Sequence, residues 1–237
     1  MKIKAVLFDM FDTLMMIEHN HEFYIPSLKA MFYSLKSKGV EKTFAEFKKA
    51  YTKARVELYK KADLNNEEPH FNERVAKTLQ FLGYNFSEDS SIAIDATFAF
   101  CREFMKYVRI DKDSKAVLLQ LHKKYVLGIV SNFAIPECVN ELLQNHDIKK
   151  FFRVIIVSGD VNKRKPSQEI FNYALNKLRI AASEAIFVGD TLDSDIKGAQ
   201  EVGMKTIFVE RRLQKEMELI KPDETVRDLI EILKIIN

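Results

Sequence analysis

Two short segments carry aspartates in an arrangement suited to group-transfer chemistry. Phe8-Asp9-Met10-Phe11-Asp12-Thr13-Leu14 follows the apolar run Ala5–Phe8, and Gly189-Asp190-Thr191-Leu192-Asp193-Ser194-Asp195 follows the run Ala185–Val188. A carboxylate can attack phosphorus and form an aspartyl-phosphate, which splits one hard displacement into two easier ones. Asp9 is the nucleophile candidate; the competing reading is an aspartate that only caps the turn after a strand. Carboxylates gathered at one site repel, and a divalent cation relieves the repulsion. Asp9, Asp190 and Asp195 are the metal-linked group. Mg2+ suits them, because it takes only one or two direct carboxylates and completes its octahedron with waters and substrate oxygens. Asp193 reads as a solvated residue.

Two more segments supply donors and charge. In Val130-Ser131-Asn132 the Ser131 hydroxyl can donate to a transferring phosphoryl oxygen, helped by nearby backbone amides, or it can simply cap a helix. Asn132 can donate as well. In Lys165-Pro166-Ser167 the Lys165 charge can hold Asp9 ionised and neutralise phosphoryl oxygens; the alternative is a solvated surface lysine. Arg164 divides evenly between surface and site. Thr13 could hydrogen-bond near Asp9 or stabilise its turn.

Five apolar runs read as strands that position these groups: Ala5–Phe8, Tyr125–Val130, Val154–Val157, Ala185–Val188 and Thr206–Val209. Apolar character without alternation fits strands covered on both faces. Helical spacing over Ser167–Leu178, and more weakly over Ile196–Val202, separates them. Strand–helix alternation implies an α/β fold, a doubly wound parallel sheet of Rossmann-like type. Ligands of such sheets bind beyond the carboxyl ends of the strands, where Asp9, Ser131 and Asp190 fall.

The stretch from Met15 to Arg109 differs. It lacks a convincing strand and spaces aromatic and apolar residues by three and four, as in Phe44, Phe47 and Tyr51, then Val75, Leu79 and Leu82, with Gly83 ending a helix. The expected organisation is a core of residues 1–15 and 110–237 with an all-helical insert, residues 16–109. The insert moves on hinges near Met15–Ile17 and Val108–Asp111; the competing reading is that it only covers one sheet face. Glu224–Ile236 reads as a closing amphipathic helix.

In this order and on these elements, the four segments resemble the four motifs of the haloacid dehalogenase (HAD) superfamily of phosphatases and dehalogenases, and the insert resembles its helical cap. The resemblance adds the backbone carbonyl of Phe11 as a metal ligand. It also exposes a conflict. Phosphatases of that superfamily resemble Asp-x-Asp at the first motif, where the second acid protonates the leaving oxygen and then activates water. Here Phe11 holds that place, and an aromatic there resembles 2-haloacid dehalogenases, which need no such proton. Those enzymes work without a metal and lack the Gly-Asp pair, whereas Gly189, Asp190 and Asp195 fit the magnesium-binding pattern. Two carboxylates beside Asp9 without a metal would be costly, so the fourth motif weighs more. Substitutes for the missing acid are Asp12, whose side chain points differently, and His19, His21 or His70 of the insert, each otherwise a surface histidine.

The leading function is therefore a Mg2+-dependent phosphatase of a small phosphorylated metabolite. A 2-haloacid dehalogenase-type hydrolase and a catalytically weak phosphate- or metal-binding protein are the alternatives. The chain has 237 residues, 47% hydrophobic and 30% charged, with 37 basic and 34 acidic residues giving a formal charge of +3. Interspersed charge argues against a nucleic-acid face, and the weak basic balance is compatible with the small anionic substrate that the phosphatase reading implies as partner. No apolar run is long enough for a signal peptide or a membrane span. The two cysteines, Cys101 and Cys138, read as free buried thiols of a cytoplasmic protein, monomer or homodimer.

Overall fold

The computed structural model describes residues 2–18, 22–211 and 219–236. Six parallel strands form one sheet. They are β1 (Ala5–Phe8), β4 (Val126–Ser131), β5 (Phe152–Val157), β6 (Ala185–Gly189), β7 (Lys205–Val209) and β8 (Glu224–Val226), in the order β5-β4-β1-β6-β7-β8. The five expected strands are all present. β4 and β6 each run one residue further, to Ser131 and Gly189. The tail differs from expectation. Glu224–Val226 is not helical but adds the sixth strand beside β7, with Val226 opposite Val209. Only Ile232–Ile235 (α10) is α-helical there. The β-branched Thr225-Val226 pair on a free sheet edge outweighs the weak helical periodicity.

The order turns on β1. The chain lays β4 and β5 on one side of it and β6, β7 and β8 on the other, so β1 lies at the crevice where such sheets bind ligands. Alternation along β1 splits the core in two. Val6 and Phe8 join one apolar cluster with α5 (Ser114–Leu121) and α6 (Pro136–Asn145). Ala5 and Leu7 join the other, with α8 (Gln168–Leu178) and α9 (Lys197–Glu201). Both faces are covered, as the apolar runs imply.

Among its described residues the insert builds four α-helices: α1 (Tyr24–Ser37), α2 (Phe44–Ala62), α3 (Phe71–Phe81) and α4 (Ser91–Met105). Gly83 ends the third as expected, at φ +89°. The insert is not purely helical. Met15–Ile17 (β2) and Val108–Ile110 (β3) pair antiparallel, Met15 opposite Ile110 and Ile17 opposite Val108. The two expected hinges are thus one ribbon. Each strand is three residues long, too short for its alternation to register in sequence. The insert shares an apolar cluster with one sheet face, running from Phe47 and Tyr51 through Phe104 to Met10 and Ile129. Both cysteines are free and buried on this seam, and burial, with the neighbouring Cys101 thiol, holds the Cys138 thiol above its usual range.

Candidate active site

The site gathers where β1, β4 and β6 end. Asp9 follows β1 directly, with its N–H donating to the Val188 carbonyl of β6 at 2.9 Å. The chain then folds back. The Leu14 and Met15 N–H groups both donate to the Met10 carbonyl at 2.9 Å, and Asp12 takes a left-handed φ of +57°. Thr13 donates to Asp9 Oδ2 at 3.5 Å, the outer limit of a hydrogen bond. Arg211 fastens this turn by donating to the Asp12 and Thr13 carbonyls at 3.2 Å and to Asp111 at 2.9 Å. Nothing in the sequence near Arg211 advertises this role, because its partners lie far along the chain.

Lys165 stands at the centre. Its Nζ lies 2.5 Å from Asp9 Oδ1 and 2.7 Å from Asp195 Oδ1, and its side chain is 2% exposed. That rules out the surface-lysine reading. Burial opposes its charge, but Asp195 and Asp9 overcome this and push its pKa above the ordinary lysine value. Asn132 fixes its backbone reciprocally: Asn132 Nδ2 donates to the Lys165 carbonyl at 2.9 Å, and the Lys165 N–H donates to Asn132 Oδ1 at 2.7 Å. One Nδ2 hydrogen of Asn132 is left for any other acceptor.

Asp195 reaches Lys165 by way of Gly189. A Cβ on Gly189 would lie 2.5 Å from Asp195 Oδ2 and 2.7 Å from its Cβ, so only glycine admits the carboxylate here. A π-helical turn over Leu192–Ile196 carries Asp195 inward, and the Thr191 N–H donates to its Oδ2 at 3.0 Å. Asp193, in the same turn, is exposed as expected.

Asp9, Asp190 and Asp195 can each offer an oxygen such that all three lie within 4.8 Å of one another. Burial raises the Asp9 pKa to about 7; Lys165 pulls it down and Asp195 pushes it up. Burial also raises Asp190 to about 8, with Asp9, Asp195 and Asp12 adding to the effect. Three hard carboxylate donors whose mutual repulsion is only partly met by one lysine make a donor set that fits a divalent cation. Asp9, Asp190 and Asp195 would hold it. Ser131, at the end of β4, has its hydroxyl buried with no hydrogen-bond partner among the described residues. Leaving such a group unmet costs roughly 1–3 kcal/mol, which a phosphoryl oxygen would recover.

Of the candidates for the missing acid, Asp12 and His70 are engaged elsewhere. Asp12 accepts from the Ile17 N–H at 3.2 Å, tied to the ribbon. His70 caps α3: its Nδ1 accepts from the Asn72 N–H, and its Nε2 faces Glu137, both at 3.2 Å. His19 and His21 lie outside the described residues. Arg164 does not join the site; it pairs with Asp63 of the insert and lies over the Tyr59 ring. Phe11 turns its ring into an aromatic wall, 4.9 Å from Phe133 and 5.7 Å from Phe104 between centroids.

Phe133 opens onto a cavity of about 570 Å3 between core and insert. Ser158 and Gly159 of the short helix α7 (Ser158–Val161), which sequence reasoning missed, hold its loop. The Phe133 N–H donates to Ser158 Oγ at 2.8 Å, and the Gly159 N–H donates to the Phe133 carbonyl at 3.1 Å.

A family model described as haloacid dehalogenase-like hydrolase matches residues 3–203. The chain belongs to this family. Among its relatives, glyceraldehyde 3-phosphate phosphatase of Methanopyrus kandleri is 27% identical over 94% of this chain and 90% of that protein. Phosphoserine phosphatase of Thermus thermophilus is 30% identical, but the match spans only 56% of this hydrolase and 53% of that protein. The solved structure of a 2-haloacid dehalogenase from Pseudomonas syringae superposes with a TM-score of 0.71 at 21% identity, covering 98% of this chain and 97% of that one. At that identity the likeness shows the fold of the hydrolase alone. No helix among its described residues is long and apolar enough to cross a membrane.

Proposed function

We propose that this hydrolase is a Mg2+-dependent phosphatase of a small phosphorylated metabolite, working through an aspartyl-phosphate on Asp9. The observation that carries the reading is the convergence of Asp9, Asp190 and Asp195 within 4.8 Å. A metal-free dehalogenase has no use for the Asp190 carboxylate, which burial and its neighbours would keep protonated near neutral pH. The two relatives named as phosphatases, one of which matches along nearly the whole chain, support the same choice.

In this reading an Asp9 oxygen attacks phosphorus as the bond from phosphorus to the leaving oxygen breaks. Lys165 opposes the burial that favours protonated Asp9 and meets negative charge on the phosphoryl oxygens, and the Ser131 hydroxyl donates to one of them. Water then cleaves the aspartyl-phosphate and restores Asp9. A bound cation would supply charge neutralisation between the anionic nucleophile and the anionic phosphoryl group. The Phe11 carbonyl is a further ligand that the family resemblance suggests. The free buried thiols suit a reducing compartment and support a cytoplasmic location.

The aromatic at position 11 favours one competing reading, halide release from a 2-haloacid. A panel of phosphate esters and haloacids, assayed with Mg2+ and with excess chelator, separates them. The expected result is phosphate release that stops with chelator, with label from a phosphorylated substrate trapped on Asp9. Halide release that continues in chelator would overturn the phosphatase reading.

A further inference from the structure

The cavity beside the site holds a cation that the chemistry at Asp9 does not use. Arg74, on α3, lines it together with Tyr51, Arg55 and Tyr59, which recur every fourth residue along one face of α2. Arg74 donates to Tyr51 Oη at 3.0 Å and to Tyr59 Oη at 2.8 Å. Its guanidinium sits 4.8 Å from the Phe71 ring centroid and 5.1 Å from that of Tyr59. Its Nε is buried with no hydrogen-bond partner, and Arg74 is in no ion pair among the described residues. The nearest acid is reached only through a phenol, since Tyr59 donates to Glu68. Burial keeps the Tyr59 phenol protonated and also raises the Glu68 pKa, so Arg74 has only neutral acceptors in direct contact.

A partly buried guanidinium held by two phenols is oriented without a carboxylate in direct contact, and a planar fork of donors fits a carboxylate or phosphate. Arg55 adds a second, more exposed cation at the same cavity. Apart from Tyr24, Asn132 and the Glu68 carboxylate, which accepts from Tyr59, the rest of the lining is apolar: Phe23, Phe71, Phe100 and Ile135 among others. At its floor, Asn132 and Phe133 follow Ser131 directly, and Phe133 touches Phe11. The cavity therefore adjoins the site on the side of Ser131 and Phe11 and presents Arg74 in its insert-side wall.

We propose that Arg74 is the specificity-determining residue of this hydrolase, binding a second anionic group on a substrate whose flat, apolar body lies along the aromatic wall. The proposal deepens the phosphatase reading and rests on it for the substrate's reacting end. The favoured substrate class is an aryl or similarly apolar monophosphate that carries a carboxylate or second phosphate away from the ester. A bare triose phosphate would leave most of a cavity this size unfilled.

Two near-isosteric probes test it: 4-carboxyphenyl phosphate and 4-carbamoylphenyl phosphate, which differ in the charge at the far end. A charged hydrogen-bond pair should favour the carboxylate by roughly 10- to 100-fold in kcat/KM, mostly through KM. In Arg74→Gln, whose amide can still donate to the phenols, the ratio should fall to within about twofold, and Arg74→Lys should keep part of it. Equal treatment of the two probes by the wild type overturns the proposal without recourse to any variant. So does an unchanged ratio in a folded Arg74→Gln. Calorimetric titration with 4-hydroxybenzoate and 4-hydroxybenzamide separates this result from the fate of the phosphatase reading. If the wild type hydrolyses neither ester but binds the carboxylate more tightly, and Arg74→Gln loses that preference, the cation site stands and the phosphatase reading falls. If it hydrolyses both with no preference, the reverse holds.

Discussion

The catalytic edge of the sheet and the cavity under the insert are both lined by charge held in apolar surroundings, but they are built differently. At the sheet edge, Asp9, Ser131 and Gly189-Asp190 sit on consecutive strand ends whose relative positions the parallel register fixes. Lys165 is then drawn to 2.5 Å from Asp9 and 2.7 Å from Asp195. Its partners are opposite charges, and its backbone is held by Asn132. In the cavity, Arg74 is held by the phenols of side chains on a neighbouring helix, and no backbone bond fixes the guanidinium. One region fixes reacting atoms through the sheet, while the other offers a recognition surface that side-chain exchange can retune without moving the sheet. Under the proposed function, this difference would let one scaffold keep its chemistry while the insert sets what is brought to it.

The largest expected effect tests the rigid half. Asp9→Asn should lower turnover by on the order of 10⁴-fold or more, because the amide cannot form the aspartyl-phosphate and Asp195, the other carboxylate beside Lys165, is already engaged by the Thr191 N–H. The fold should persist, since Lys165 keeps Asp195. Single-turnover assays with a phosphate ester, run beside a thermal melt, would check both. A variant within tenfold of the wild type would mean that the attacking group lies elsewhere.

A smaller loss should follow from one methyl group placed behind the site. Gly189→Ala puts a Cβ within 2.7 Å of Asp195 Oδ2, Cγ and Cβ, and moving the carboxylate tip cannot relieve the contact with Cβ. Asp195 must shift, and Lys165 with it. A displacement near 1 Å at a reacting centre costs about 10²-fold. Activity titrated against Mg2+ should show a lower plateau and a higher half-saturating concentration. An unchanged titration would show that the sheet edge tolerates more movement than its contacts suggest.

The difference between the two regions also governs how much of each was legible in the sequence. Asp9, Ser131, Lys165, Asp190 and Asp195 stand beside short apolar runs or a helix start, so their residue types and flanks placed them at one end of a parallel sheet. Fold and site emerged together from the same pattern. Tyr51, Arg55 and Tyr59 have helical spacing, but that spacing fits a packed face as well as a pocket wall. Only the arrival of α3 beside α2 turns Arg74 toward the phenols. Arg211, Ser158 and Gly159 were invisible for a related reason: they bind backbone groups far away in the chain, and a backbone partner, donor or acceptor, has no sequence signature. The last strand was misread because Glu224–Ile236 contains three residues of edge strand ahead of a short helix, and the apolar periodicity of the helix extended into the strand.

Phe11 lies on the boundary between the regions, and changing it should sharpen the contrast. A positioned general acid contributes roughly 10²–10⁴ in rate. With phenylalanine there, the leaving group departs as an anion, so aryl and acyl phosphates should be cleaved far faster than alkyl phosphates. Phe11→Asp should raise alkyl phosphate hydrolysis by about tenfold, below the range of an evolved acid, and flatten the dependence on leaving-group pKa. The lost contacts with Phe133 and Phe104 should lower Tm. If the wild type already cleaves alkyl and aryl phosphates alike, some other residue supplies the proton.

The smallest effect concerns the insert's scaffold. Thr43 caps α2, the helix that carries Tyr51, Arg55 and Tyr59, through a reciprocal capping box. The Glu46 N–H donates to Thr43 Oγ1 at 3.3 Å, and the Thr43 N–H donates to Glu46 Oε2 at 2.8 Å. Thr43→Ala removes the acceptor for one N–H of the first turn and leaves Glu46 able to accept from the residue 43 N–H. For a chain of this length, losing one such cap should lower Tm by about 2–4 °C. The cavity begins two turns further on, where Tyr51 is held by ring contacts with Phe47 at 6.2 Å and Phe71 at 6.3 Å. Those contacts do not depend on the frayed end. The kcat/KM ratio between carboxylate and carboxamide probes should therefore match that of the wild type while the melt moves down. If the ratio falls along with Tm, the cavity depends on the whole length of α2 and is as intolerant of small displacements as the sheet edge, which would remove the contrast between the two regions.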